Sequence, residues 1–242
     1  MSYFESRLLA NFENFNDIKK KIEFCEKLGI KNIILEPTNK ILSIPSDIKS
    51  RLELEKKINI FYRINLRVTN LDDFKRKIRY FNNFTDILSV ESMKKEVQLQ
   101  AARDSRVDII SFSSPEIIKT LTPGVISLIK QNNSYLEFSL APLMEKVKVI
   151  QSKNFRNLYR YFQLALKLKV NCIISGNFSN IYEFRNPRAL ISICHTLLGV
   201  PLDKAKEIYK INPILLLERV QKRINNKLET EVKIIRGGEK DS

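Results

Sequence analysis

Residues 171–220 read N-C-I-I-S-G-N-F-S-N-I-Y-E-F-R-N-P-R-A-L-I-S-I-C-H-T-L-L-G-V-P-L-D-K-A-K-E-I-Y-K-I-N-P-I-L-L-L-E-R-V. The apolar run Cys172–Ile174 ends in Ser175-Gly176-Asn177. A short apolar run bounded by turn residues is the pattern of a buried strand leaving a sheet. Asn186-Pro187 then supplies an N-cap and a proline at the first helical position. Leu190, Ile193, Cys194 and Leu197 keep helical spacing, and Gly199 is placed to close that segment. A second helix is expected from Pro201, and Asn212-Pro213 opens a third that carries Ile214, Leu217 and Val220. One strand therefore feeds a loop with two arginines and a three-helix layer.

Working outward from this stretch, strand and helix alternate along the whole chain. Strands are expected at Tyr3–Leu9, Asn32–Glu36, Ile58–Val68, Asp86–Val90, Asp108–Phe112, Tyr135–Leu140 and Cys172–Ile174. Helices are expected at Asp17–Leu28 (ended by Gly29), Ser46–Lys57, Leu71–Phe81, Met93–Asp104, Pro115–Thr120, Pro123–Gln131 and Ser152–Leu168. Repeated βα units imply a parallel sheet. About seven strands without a compositional break favour an α/β barrel of irregular TIM type over an open sheet, with extra helices near the C-terminus. Residues 1–228 are expected to form a single domain, and the polar stretch 229–242 a flexible tail.

The chain has 242 residues, 43% of them apolar, which suffices for a full core. No apolar run approaches the ~20 residues of a membrane span, and no signal-peptide pattern opens the chain. Cys25, Cys172 and Cys194 form no C-x-x-C pair and sit among apolar residues. They are expected to be reduced core thiols, which suits the cytoplasm. The net charge of +15 and pI near 9.7 point to a polyanionic partner. Genomic bias toward Lys and Ile is the bland reading of the same numbers.

A barrel invites catalysis at the C-terminal ends of its strands, where the sequence places Glu36, Asn65, Arg67, Glu91, Ser113, Ser139 and Asn177. A metal-assisted hydrolase needs several ligands around its ion. The one histidine, His195, falls mid-helix instead. Glu36 and Glu91 have the oxygen chemistry for Mg²⁺, but capping strand ends or pairing with nearby arginines is the ordinary reading. No G-x-S-x-G, G-x-x-x-x-G-K or G-x-G-x-x-G is present. No catalytic residue, and no cofactor or metal on the chain itself, is expected.

The basic residues carry more information. Lys146–Tyr182 contains no Asp or Glu but seven Lys and Arg. On a helix over Ser152–Leu168, Lys153, Arg156, Arg160 and Lys167 fall in one arc of ~60°. Phe155, Leu158, Phe162, Ala165 and Leu166 fall opposite. A solvated helix ordinarily mixes signs at i,i+4, whereas this stripe has nothing within the helix to pair with and suits a phosphate backbone. Lys75, Arg76, Lys77 and Arg79 form a second cluster behind Asp72-Asp73, where acids first and bases last also suit the helix dipole. Arg103 and Arg106 precede a strand, with Asp104 or Asp108 as possible partners. Arg185 and Arg188 lie on the loop after the last strand, expected at the barrel rim, where they either act on a partner or tie the loop down. No zinc finger, aromatic RNP run or KH loop is present, so phosphate position and RNA shape, not base identity, would be read.

The order S-G-N, R-N-P-R, L-L-G-V and A-K-E-I-Y-K-I-N-P resembles the archaeal ribonuclease P protein component 3 family, as do R-V-D-I-I-S-F (Arg106–Phe112), E-F-S-L (Glu137–Leu140) and the long basic helix. That family is related to eukaryotic p30-type subunits and more distantly to PHP phosphoesterases. The resemblance implies an irregular TIM-type barrel in a ribonucleoprotein that removes 5′ leaders from precursor tRNA. In that assembly the RNA carries the chemistry and needs Mg²⁺. The implied partners are ribonuclease P RNA, protein component 2, other protein subunits of the enzyme and, through the complex, precursor tRNA, with no membrane. Matching R-N-P-R also marks Arg185 and Arg188 as functional positions. A PHP-like metal-dependent phosphoesterase and a plain protein-interaction barrel are the alternatives.

Overall fold

The computed structural model describes residues 3–53, 58–178 and 180–237, with side chains as far as residue 225. Among the described residues seven strands form one parallel sheet in chain order: β1 (Tyr3–Ala10), β2 (Ile30–Pro37), β3 (Asn59–Arg67), β4 (Ile87–Glu91), β5 (Ile109–Phe112), β6 (Tyr135–Ser139) and β7 (Cys172–Ser175). Each pairs in parallel with the next. The returning segments include α1 (Phe15–Lys27), α2 (Ser46–Glu53), α3 (Leu71–Ile78), α4 (Lys95–Arg103), α5 (Pro123–Gln131) and α6 (Lys148–Lys167). After β7 come α7 (Pro187–Thr196), α8 (Leu202–Lys210) and α9 (Asn212–Gly237). This is the α/β barrel with extra C-terminal helices that the alternation predicts.

The local signals act as their chemistry requires. Asn14, Asn70 and Asn186 each accept a backbone N–H of the first turn of α1, α3 and α7, the last at 2.9 Å from Arg188. Gly29, at φ 78°, makes the left-handed turn from α1 into β2. Some boundaries differ. Helix α6 begins at Lys148, a turn before Ser152, because an extended Val147 with no side-chain cap starts it and leaves no capping signal to read. Residues 79–81 and 117–120 are single 3₁₀ turns. The expected helix Ser46–Lys57 is helical to Glu53, and 54–57 lie outside the described residues. Helix α9 carries regular backbone through Gly237, within the stretch 229–242 expected to be a flexible tail; 238–242 lie outside the described residues.

The barrel is nearly closed. Among the described residues no ladder joins β1 to β7; instead the Glu5 carboxylate on β1 accepts the Gly176 N–H just past β7 at 3.1 Å and the Arg7 N–H at 3.2 Å. A Cβ at Gly176 would lie 2.6 Å from Phe178 and 2.9 Å from Glu5, so this seam admits only glycine. The main apolar core lies between the sheet and its helices and includes the free thiols Cys25, Cys172 and Cys194. A second cluster sits inside the barrel at the strands' N-terminal ends. There Ile34, Ile87, Ile109, Tyr135 and Ile173 meet Leu216 and Val220 of α9, which stoppers the foot of the barrel. Polar ties hold the stopper: Asn212 reaches the Cys172 carbonyl at 2.7 Å, and Arg219 and Arg223 pair with buried Asp108 at 3.4 and 3.3 Å.

Candidate nucleic-acid interface

Above the apolar foot, the inward positions of the strands are charged. Arg63 of β3 grips Glu137 of β6 with two hydrogen bonds of 2.7 and 2.6 Å and donates to Ser89 at 2.8 Å. Arg7 of β1 reaches Glu36 at 2.8 Å, Ser111 at 3.2 Å and Glu91 at 3.3 Å. Glu36 also pairs with Arg63 at 3.1 Å. Asn65 donates to Glu91 at 2.7 Å, and the Ser113 hydroxyl donates to the same carboxylate. At the mouth, half-exposed Arg67 lies 3.7 Å from Glu36 and 3.6 Å from Glu91. Three arginines thus face three carboxylates in the lumen.

Burial alone would push Glu137 up, but the Arg63 and Arg7 guanidiniums overturn it and hold this carboxyl down to about 2. Burial likewise opposes ionisation of Glu91, and Arg7, Ser113 and Asn65 bring it below the usual carboxylate range. Burial lowers Arg7, yet Glu36, Glu137 and Glu91 raise it above an ordinary arginine. Glu5 behaves differently: burial dominates and lifts it to about 7, despite the Arg7 and Gly176 amides.

Glu36 and Glu91, the carboxylates the sequence offers for Mg²⁺, are therefore occupied by arginines, as the ordinary reading has it. Among the described residues no group of three His, Cys, Asp or Glu is placed to hold a metal ion. His195 bonds the Val200 carbonyl at 2.7 Å, in the turn that follows α7. The lumen's chemistry is that of a closed ionic network. Sequence reading missed Arg7, Arg63 and Glu137; the signal was their parity, since Arg63/Asn65/Arg67, Ser89/Glu91 and Ser111/Ser113 all put polar residues on one alternate face of a strand.

On the outer surface, α6 buries Asn154, Leu158, Phe162 and Ala165 and turns Lys153, Arg156, Arg160 and Lys167 to solvent. Among the described residues none of these four cations forms an ion pair; Arg160 lies 5.7 Å from the Tyr161 ring centre. The stripe stands open, as its spacing predicts.

The other basic residues divide. Lys75 and Arg79 are exposed, while Arg76 and Lys77 both pair with Asp73 at 2.8 Å. The Lys77 hydrogen bond, with Arg76 beside it, holds Asp73 below its usual range. Arg103 is exposed. Arg106 is a structural tie: it pairs with Asp104 at 2.6 Å and donates to Asn82 at 2.6 Å and to the Ile78 carbonyl at 3.3 Å. The expected rim position of Arg185 and Arg188 is corrected. Asn186 donates to Leu28, at the end of α1 and two residues before β2 begins, at 3.2 Å. Phe184 also packs on Phe24. These contacts draw the loop along α1 to the strands' N-terminal side, away from the mouth. Arg185 donates to the carbonyls of Tyr182 and Phe184 at 2.7 and 2.9 Å, whereas Arg188 is exposed in the first turn of α7.

Residues 10–225 match the family described as RNase P subunit p30. No curated protein matches the sequence. Among solved structures, a chain in the cryo-EM structure of archaeal ribonuclease P with mature tRNA superposes with a TM-score of 0.74 at 16% identity, over 92% of this chain and 93% of that one. A Xaa-Pro dipeptidase with methionine in its active site gives a TM-score of 0.66 at 9% identity, over 91% and 76%. A prolidase-like protein from Bifidobacterium longum gives 0.64 at 9%, over 90% and 70%. At these identities the superpositions speak for the barrel alone. The family match spans most of the chain, and the chain belongs to the RNase P subunit p30 family.

Proposed function

We propose that this RNase P subunit is an RNA-binding scaffold of the enzyme, holding the complex's RNA by its phosphates and leaving leader cleavage to the RNA. The observation that carries the reading is the cationic stripe of α6, four charges fixed on a packed helix with no ion-pair partner among the described residues. Lysine and arginine in that setting release counterions on meeting a phosphate backbone, so RNA segments can pack closely against them. Lys75, Arg79, Arg103 and Arg188 extend the basic surface, while Arg106 belongs to the fold. Magnesium serves the RNA in this reading, and the protein partners are component 2 and further subunits of the enzyme. The buried free thiols suit the reducing cytoplasm.

The test is the salt dependence of binding to the enzyme's RNA. Replacing Lys153, Arg156, Arg160 and Lys167 together by Gln is expected to flatten the slope of log affinity against log salt by roughly 2 to 3.5 units. Gln keeps close to the helix propensity of the residues it replaces. An unchanged slope removes the stripe from the interface. Cleavage of precursor tRNA at its mature 5′ end by the RNA-free chain would overturn the scaffold role itself.

A further inference from the structure

Of the eight tyrosines, three stand in solvent: Tyr80 is 70% exposed, Tyr159 44% and Tyr182 83%. None of the 14 phenylalanines does so. Each exposed ring belongs to one of the basic clusters. Tyr80 follows Arg79 in the 3₁₀ turn after α3, whose next residue, Phe81, is anchored in the core against Phe84. Tyr159 lies between Arg156 and Arg160 on α6, backed by Phe155 with ring centres 6.4 Å apart. Tyr182 precedes the arginine loop, and its carbonyl accepts from Arg185 at 2.7 Å.

An aromatic ring held in water beside guanidinium and ammonium groups offers two contacts at once: a face for a nucleobase and a charge for the adjoining phosphate. Bases inside a duplex are stacked on one another and offer no free face, so such rings select unpaired nucleotides. We infer that Tyr80, Tyr159 and Tyr182 are stacking platforms for unpaired RNA bases. The inference rests on the RNA-binding reading above and narrows its ligand from RNA phosphates in general to RNA with splayed, single-stranded nucleotides. It adds base stacking to a surface whose sequence speaks only of charge.

The experiment compares the full chain with its Tyr80→Ala, Tyr159→Leu and Tyr182→Ala variants on a short unstructured single-stranded RNA and on the duplex of the same strand, at fixed salt. The Leu substitution keeps an apolar contact with Phe155. Each variant is expected to lose about fivefold or more in single-strand affinity while duplex affinity stays within about twofold. Tyr→Phe at each site is expected to restore binding. Salt slopes stay unchanged, because no charge is removed. The chain has no tryptophan, so tyrosine emission is read directly, and single-stranded RNA is expected to quench it. Wild-type affinity in all three variants, or equal weakening on both RNAs, overturns the platforms while RNA binding stands. A wild-type chain that binds neither RNA overturns both.

Discussion

The barrel lumen and the outer face of α6 use the same cationic chemistry to opposite ends. In the lumen, Arg7 and Arg63 are fully enclosed and thread Glu36, Glu91 and Glu137 into one network across five strands. On α6, Lys153, Arg156, Arg160 and Lys167 stand in water, with no ion pair among the described residues. A charge taken out of water survives only if matched, because its desolvation costs several kcal/mol. A charge left in water costs little and gains its worth from whatever arrives. The lumen therefore fixes shape, and the stripe holds charge in reserve for a partner.

The largest effect is expected inside. Arg63→Met leaves enclosed Glu137 with only the longer Arg7 contact at 3.7 Å and takes one arginine from Glu36, and should destabilise the fold by about 3–5 kcal/mol. In a chain of this size that is a melting temperature lower by roughly 6–20 °C. A drop of only a degree or two would mean the lumen is wet and self-screening, and the contrast with α6 would collapse. Glu5→Gln sharpens the contrast by pH. Glu5 titrates near 7 in the fold against 4.5 in the free chain, so between those values the folded state holds a proton the unfolded state has lost. Stability from this group is full below the lower value and falls as pH rises through the upper one. Glu137, held down to about 2, works the other way and loses its contribution as pH falls below its unfolded value. Denaturant unfolding at about pH 5 and about pH 8 should show Glu5→Gln gaining on the order of 2 kcal/mol relative to wild type between them. Parallel curves would assign the decline to other groups, Asp108 first, which burial raises to about 6. The smallest effect belongs to the stripe: the fourfold Gln variant of α6 should unfold within about 0.5 kcal/mol of wild type. A loss of several kcal/mol there would make the stripe structural after all.

How much of this was legible follows from where each signal resides. Asn186-Pro187, Gly29 and the run Cys172–Ile174 carry their instructions locally, so β7, α7 and the turn out of α1 could be read directly. The α6 stripe was legible because helical period and charge coincide within one element. The lumen was not, since Arg63 and Glu137 lie 74 positions apart and only barrel closure brings them together. A charged residue in a strand ordinarily signals a wet face, and here the wet-looking face is the dry interior. The arginine loop was misplaced for a related reason. Its position is set by Phe184 packing on Phe24 and by Asn186 reaching Leu28, contacts with a helix distant in sequence that the loop's own composition does not announce.

Helix α9 follows the seven described strands, yet its Leu216 and Val220 fill the foot of the barrel. A chain emerging from the ribosome therefore completes all seven strands while the disc of Ile34, Ile87, Ile109 and Tyr135 is still bare. Until α9 swings beneath and Arg219 and Arg223 find Asp108, this basic protein is a half-built cup with a greasy underside. Between the making of β7 and the making of α9, the foot of the barrel has no cover of its own, and exposed apolar surface of that kind favours aggregation.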